Sequence, residues 1–164
     1  RPLRGNIQTR LRKLDEGQFD GIILAAAGLE RLGLRERIVQ YLPVDISIPS
    51  VGQGALGIEC LDTRQDIIDL LSGLDHEPTR ICVEGERSVS RLLGGSCTSP
   101  LGAYARILDN HLEMSAFVAA PNGSTCLRVV GRDEINKSGA MRLSQKLVNE
   151  LSALGARTLL DAIE

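Results

Sequence analysis

A cysteine in a glycine-rich stretch is the clearest candidate for chemistry in this sequence. Cys97 follows Gly94 and Gly95, and Pro100 comes three residues later. Because the glycines leave little bulk around the thiol and the proline stops a helix from continuing, the pattern predicts a short, tightly shaped loop. Two interpretations are open: a small half-buried residue in a turn, or a nucleophile or covalent anchor with an accessible, stabilised thiolate.

A second glycine-rich stretch and the arginines could bind a ligand. A guanidinium group pairs bidentately with a carboxylate and so suits an acidic ligand, but the residues alone single out no particular arginine. The G-x-G of residues 52–54 is a weak phosphate-loop motif, because no GxGxxG or Walker pattern completes it. From the residues alone, solvated surface arginines and a glycine-rich turn are the simpler interpretation.

Composition narrows the class of protein. The 164 residues carry a formal net charge of −2, so the sequence predicts no general attraction to nucleic acid or to an anionic membrane. We find no bilayer-spanning apolar run and no signal peptide. The widely spaced cysteines argue against a zinc site or a disulfide framework and indicate a reducing cytoplasm. We interpret three of them as core residues: Cys60, Cys82 and Cys126.

The apolar pattern predicts an α/β segment followed by a small α+β unit. In the first part we expect a helix over 7–14, a buried parallel strand over 20–28 and an arginine-rich helix over 29–42. From about residue 76 we expect three antiparallel strands with helices on one face. The later predicted helices are 62–74, 79–93, 140–154 and 156–163, and the strands are 103–108, 111–119 and 125–131, with a hairpin turn at Asp109-Asn110.

Two stretches resemble one known family. The pattern E-R-x-V-x-x-x-L-x-G-S-C-x-x-P-L-G, from Glu86 to Gly102, is similar to the cofactor-attachment signature of the porphobilinogen deaminases, also called hydroxymethylbilane synthases. The sequence departs from it at Ser99, where the family usually has Val, Ile or Thr. The string V-G-Q-G-A-x-G-I-E-C, from Val51 to Cys60, is similar to a second stretch of that family.

The resemblance implies a reaction and a set of site residues. The family condenses four porphobilinogen molecules, with loss of ammonia, on a dipyrromethane cofactor joined to a cysteine by a thioether. Cys97 matches that cysteine, and six residues match positions that bind cofactor and substrate or line the same cleft: Arg4, Arg10, Gly28, Arg31, Gln53 and Gly54. No catalytic residue is expected here, because the family's general acid/base is an aspartate in a segment of the first domain that this sequence does not contain. No metal ligand is expected either.

The resemblance also implies a domain organisation. We expect residues 1–49 to be the C-terminal part of a second, periplasmic-binding-protein-like domain, and 50–75 to cross into the first domain. Residues 76–164 would form the third, cofactor-anchoring domain. The expected ligands are porphobilinogen and linear oligopyrroles. We expect this chain alone to be inactive, to carry a free thiol at Cys97 and to self-associate through its incomplete sheet, although complete family members are monomers.

Two other function classes are considered. The chain could be a non-catalytic module that binds small carboxylates, or a structural fragment that self-associates. The signature around Cys97 argues against the binding module, because binding alone does not require it.

Overall fold

The computed structural model describes residues 2–96 and 99–162. The chain divides into two compact units, and the division falls between Leu42 and Pro43. Our domain limits of 1–49, 50–75 and 76–164 stay a prediction.

The first unit is built around two short helices. Helix α1, Ile7–Asp15, confirms the predicted helix, and its N-cap is Asn6, whose side chain accepts a hydrogen bond from the Thr9 N–H at 2.8 Å. Helix α2, Ala26–Arg31, is followed by a 3₁₀ turn at Arg35–Arg37. Leu11 and Leu29 are the buried side chains of these helices.

Two predictions for the first unit are wrong. Residues 21–25 form no strand, Ile23 is 77% exposed, and α2 begins at Ala26, within the predicted strand. The predicted helix over 29–42 is confined to α2 and the short 3₁₀ turn. A strand needs hydrogen-bonded neighbours, and the three described strands all lie between residues 101 and 133, where they pair with one another.

The second unit contains the predicted antiparallel sheet. Its strands lie across the sheet in chain order and pair antiparallel throughout. Asp109 and Asn110 have positive φ angles of 49° and 63°, as a two-residue type I′ hairpin requires, and the register pairs Leu108 with His111. The strands are β1 (Leu101–Leu108), β2 (His111–Ala119) and β3 (Cys126–Asp133).

Helices cover one face of this sheet, as predicted. Helices α4 (Glu77–Leu92) and α5 (Lys137–Ala153) pack on it around an aliphatic core that includes Val89, Met114 and Leu147. Ser144 on α5 is fully buried, and its hydroxyl lies within hydrogen-bond distance of the Gly85 carbonyl of α4, at 2.9 Å. The other helices described in this unit are α3 (Gln65–Ser72) and α6 (Ala156–Asp161).

An extended segment lies on the other face of the sheet. The Arg128 guanidinium group, on β3, donates to the Val44 carbonyl at 2.8 Å and to the Asp45 carbonyl. The backbone of Pro49 lies against Gly102 on β1. Residues 44–49 therefore cross the face that the helices leave uncovered.

Two of the three cysteines interpreted as core residues are exposed. Cys126 begins β3 at the sheet margin, and Cys60 lies in a segment with no assigned helix or strand, whereas Cys82 on α4 is half-buried. An apolar sequence context does not bury a side chain unless another element packs on it.

Of the helices described, none has both the length and the apolar content needed to cross a bilayer.

Candidate cofactor-anchoring site

The end of α4 is fixed by its two glycines. Gly94 has a φ of +72°, its N–H donates to the Arg91 carbonyl at 3.1 Å, and the Gly95 N–H donates to the Ser90 carbonyl at 2.8 Å. This pair of bonds is the Schellman arrangement, which satisfies the last helical carbonyls and turns the chain away from the helix axis. The glycines therefore end the helix immediately before the predicted anchor.

Cys97 and Thr98 lie outside the described residues, but both neighbours are described. The Ser96 N–H donates to the Ser99 hydroxyl oxygen at 2.9 Å, and the Ser99 N–H donates to the Ser96 carbonyl at 3.1 Å. Strand β1 begins two residues after Ser99. Threonine at position 99 would keep the hydroxyl acceptor, whereas the valine or isoleucine common in the family would remove it.

Four of the predicted binding residues lie in the first unit. The Nε of Arg10 donates to the Gly5 carbonyl at 2.8 Å, and the Arg4 carbonyl accepts from a lysine side chain at 3.2 Å. Arg4 is exposed, and Arg31 is exposed at the last position of α2. A Cβ on Gly28 would lie 2.7 Å from Ile7 Cδ1, so this glycine allows α2 to lie close to the start of α1.

Gln53 and Gly54 lie in the second unit, on an exposed turn. The Gln53 N–H donates to the Ser50 carbonyl at 3.0 Å, and the Ala55 N–H donates to the Gly52 carbonyl at 3.2 Å. Gly52 and Gly54 both have positive φ angles. The turn borders a cavity of about 430 Å³ between residues 53–55, α4 and β1. Cys82 and Val83 line this cavity from α4, and Tyr104 lines it from β1.

Glu86 is a buried carboxylate that was not among the predicted site residues. The residue is 4% exposed, and its two oxygens accept hydrogen bonds from the Gly52 N–H at 2.7 Å and the Ala105 N–H at 2.8 Å. Burial raises the pKa of Glu86, and the two backbone N–H groups oppose that rise. Its partners lie 34 and 19 residues away and are backbone groups, so no local pattern could have predicted them.

A second charged cluster lies on the outer face of the sheet. Arg106 and Arg132 donate to opposite oxygens of Glu113, with closest distances of 2.6 and 2.7 Å. These bonds lower the pKa of Glu113, those from Arg106 having the larger effect. A cavity of about 390 Å³ lies beside this cluster, between the sheet and residues 43–45. Of the predicted site residues that the structure describes, none lines it.

Two family models match most of the chain. The model for "porphobilinogen deaminase, dipyromethane cofactor binding domain" matches residues 1–69, and the model for "porphobilinogen deaminase, C-terminal domain" matches residues 80–153. The chain belongs to the porphobilinogen deaminase family. Cys97 lies within the range of the C-terminal model, and Arg4, Arg31 and Gln53 lie within the range of the other.

Curated relatives agree with this assignment. The chain is 50% identical to a porphobilinogen deaminase of Nitrosomonas europaea, over 99% of the chain and 52% of that protein. It is 52% identical to the porphobilinogen deaminase of Thiobacillus denitrificans, over 99% of the chain and 53% of the relative. It is also 52% identical to the porphobilinogen deaminase of Methylobacillus flagellatus, over 98% of the chain and 51% of that protein. The chain thus spans about half the length of the curated porphobilinogen deaminases it matches.

The family matched here is one that binds dipyrromethane, and the residues around position 97 fit such a group. A thioether needs a cysteine that a bulky ligand can approach, and the described neighbours of Cys97 are a helix-ending glycine pair and two small serines. Across residues 2–96 and 99–162, no three His, Cys, Asp or Glu side chains are grouped so that they could hold a metal ion.

Proposed function

We propose that this chain is the cofactor-anchoring part of a hydroxymethylbilane synthase. Cys97 carries the dipyrromethane. Carboxylates of cofactor and substrate are held by Arg4, Arg10 and Arg31. Gly28, Gln53 and Gly54 match loop positions that line the binding cleft in the family. The observation that carries the proposal is the signature from Glu86 to Gly102, which lies where α4 ends and β1 begins in a chain of this family.

The residues have separable roles in this proposal. The Cys97 thiolate is the nucleophile. Its sulfur adds to the methylene carbon of the methylene-pyrrolenine that forms when porphobilinogen loses ammonia, and the resulting thioether is not reduced by cellular thiols. The arginines supply fixed positive charge for the acetate and propionate groups of each pyrrole, and a guanidinium group can hold such a carboxylate with two parallel hydrogen bonds. When bound, the dipyrromethane supplies the pyrrole ring to which further porphobilinogen units are added.

The domain assignment is part of the proposal. We assign residues 1–49 to the second domain, 50–75 to the crossover into the first, and 76–164 to the third. Exposed apolar side chains support the assignment of the crossover, because they would be covered by another domain. These side chains are Leu56, Ile58, Leu61, Leu70 and Leu74.

We further propose that the 164-residue polypeptide does not consume porphobilinogen by itself. This follows from the family resemblance, which assigns the general acid/base aspartate to a segment of the first domain that these 164 residues do not include. The proposed location of the enzyme is the cytoplasm, which agrees with the three described cysteines being free thiols.

The apolar surface of residues 56–74 favours self-association of the isolated polypeptide, which sedimentation at several concentrations would reveal.

Intact-mass measurement tests the anchor. The chain and its Cys97→Ser variant are incubated with porphobilinogen and then treated with a thiol-alkylating reagent. We expect no substrate consumption and an alkylated Cys97 in the chain alone. Added mass equal to two linked pyrroles on Cys97, absent from the variant, would show that this polypeptide assembles its own cofactor. A pyrrole adduct on another cysteine would contradict the assignment of Cys97.

Amide chemical shifts test the binding residues. Porphobilinogen added to the ¹⁵N-labelled chain should shift the amides of the six predicted residues, and a pyrrole without carboxylates should not. Equal shifts with both compounds would contradict recognition of carboxylates by the arginines. The predicted residues are Arg4, Arg10, Gly28, Arg31, Gln53 and Gly54.

A further inference from the structure

Glu86 joins three separate pieces of the second unit. Its side chain leaves α4, and its carboxylate oxygens accept from Gly52 on one side and from Ala105 on β1 on the other. Only 4% of its surface is exposed, although glutamate is almost never fully buried unless it is paired. Burying this charge is unfavourable, so the two hydrogen bonds are needed to offset its loss of hydration.

The position of Ala105 explains why a carboxylate lies beside strand β1. Strand β1 is at the edge of the sheet and pairs only with β2 among the described strands. The Ala105 N–H finds its acceptor in Glu86, and Ala105 is itself buried. A carboxylate in place of a neighbouring strand satisfies that N–H and prevents another strand from pairing there.

The second bond reaches the turn that contains two predicted site residues. Gly52 immediately precedes Gln53 and Gly54, and the Gly52 carbonyl accepts from Ala55 within the same turn. The glycines of this turn are flexible, so its internal bonds do not fix where the turn lies. The bond from the Gly52 N–H to Glu86 attaches it to α4 and, through the same carboxylate, to β1.

We propose that Glu86 is a positioning residue that holds the Gly52–Gly54 turn against α4 and β1 and so sets where Gln53 and Gly54 meet a pyrrole carboxylate. The positioning itself depends only on the contacts above, whereas the nature of the ligand rests on the proposed function. Glu86 belongs to the same signature as Cys97, and it therefore links the anchor sequence to the binding turn.

Amide hydrogen exchange tests the attachment. Glu86→Gln keeps the shape of the side chain but leaves one carbonyl oxygen for two N–H donors. We expect the exchange of at least one of the Gly52 and Ala105 amides to become about tenfold faster. The matched control is Glu84→Gln on the same helix, which removes an equal charge but contacts neither amide. Unchanged exchange in Glu86→Gln, or an equal increase in Glu84→Gln, would overturn the proposal.

Porphobilinogen titration tests the consequence for binding. We expect Glu86→Gln to weaken the response of the Gln53 and Gly54 amides about tenfold. Ser144→Ala, which loses a buried hydrogen bond to α4 without touching the turn, should retain wild-type affinity. Equal weakening in both variants would show that lost stability is the cause and would overturn the positioning role. If the wild-type chain does not respond at these residues while the exchange results hold, the proposed function fails and the attachment stands.

Discussion

The carbonyl oxygen of Pro49 lies directly against Gly102: a Cβ on this glycine would come within 2.8 Å of it. The same Cβ would lie 2.5 Å from Cε1 of the Phe117 ring. The backbone of strand β1 is thus in direct contact with the backbone of the segment that precedes the Gly52–Gly54 turn. Only a residue without a side chain permits this approach, so Gly102 helps to determine where the turn begins.

Gly102→Ala should therefore destabilise the second unit. Both the Pro49 backbone and the Phe117 ring must shift to admit the methyl group, and we expect a loss of about 1–3 kcal/mol in the free energy of unfolding. Urea unfolding followed by circular dichroism measures it. Gly57→Ala is the control, because a Cβ there has no atom within 4 Å. Equal stability of the two variants would contradict the close contact.

The sequence predicted elements whose determinants are local. The glycine pair after α4 and the Asp109-Asn110 hairpin depend on backbone angles that those residues adopt readily, and both are present. The apolar run over 20–28 was wrongly interpreted as a strand because its conformation depends on pairing partners, which no sequence window contains. The same holds for Glu86, whose acceptor role depends on backbone groups brought together only by the fold.

Gly94→Ala should lower stability through the backbone alone. Gly94 has a φ of +72° and no atom within 4 Å of an added Cβ, so the cost comes from the left-handed conformation. We expect a loss of about 1 kcal/mol in the free energy of unfolding. Gly73→Ala is the matched control, since Gly73 follows α3 with a φ of −67° that alanine adopts freely. A thermal unfolding midpoint that falls equally in both variants would contradict this explanation.

Glu113 should stabilise the second unit at neutral pH and lose that effect in acid. Hydrogen bonds from Arg106 and then Arg132 lower its pKa, so the folded protein favours the ionised form. Its contribution is present above the ordinary glutamate pKa of about 4.3 and is lost as the pH falls through the lower, folded value. Glu113→Gln should be less stable by about 1 kcal/mol at pH 7, with the difference shrinking below about pH 4. Urea unfolding between pH 3 and 7 tests this, and a difference that does not vary with pH would contradict it.

Glu86 should show the opposite dependence on pH. Burial raises its pKa, so between the unfolded and folded values the folded protein binds more protons than the unfolded chain. Stability from this group is therefore complete below the ordinary pKa of about 4.3 and declines as the pH rises through the raised value. The stability of the wild-type chain relative to Glu86→Gln should accordingly decrease with rising pH, whereas relative to Glu113→Gln it should increase. Urea unfolding of the three proteins at matched pH values measures both trends. A relative stability that rises with pH for Glu86 would mean that the Gly52 and Ala105 N–H groups stabilise the carboxylate by more than burial destabilises it.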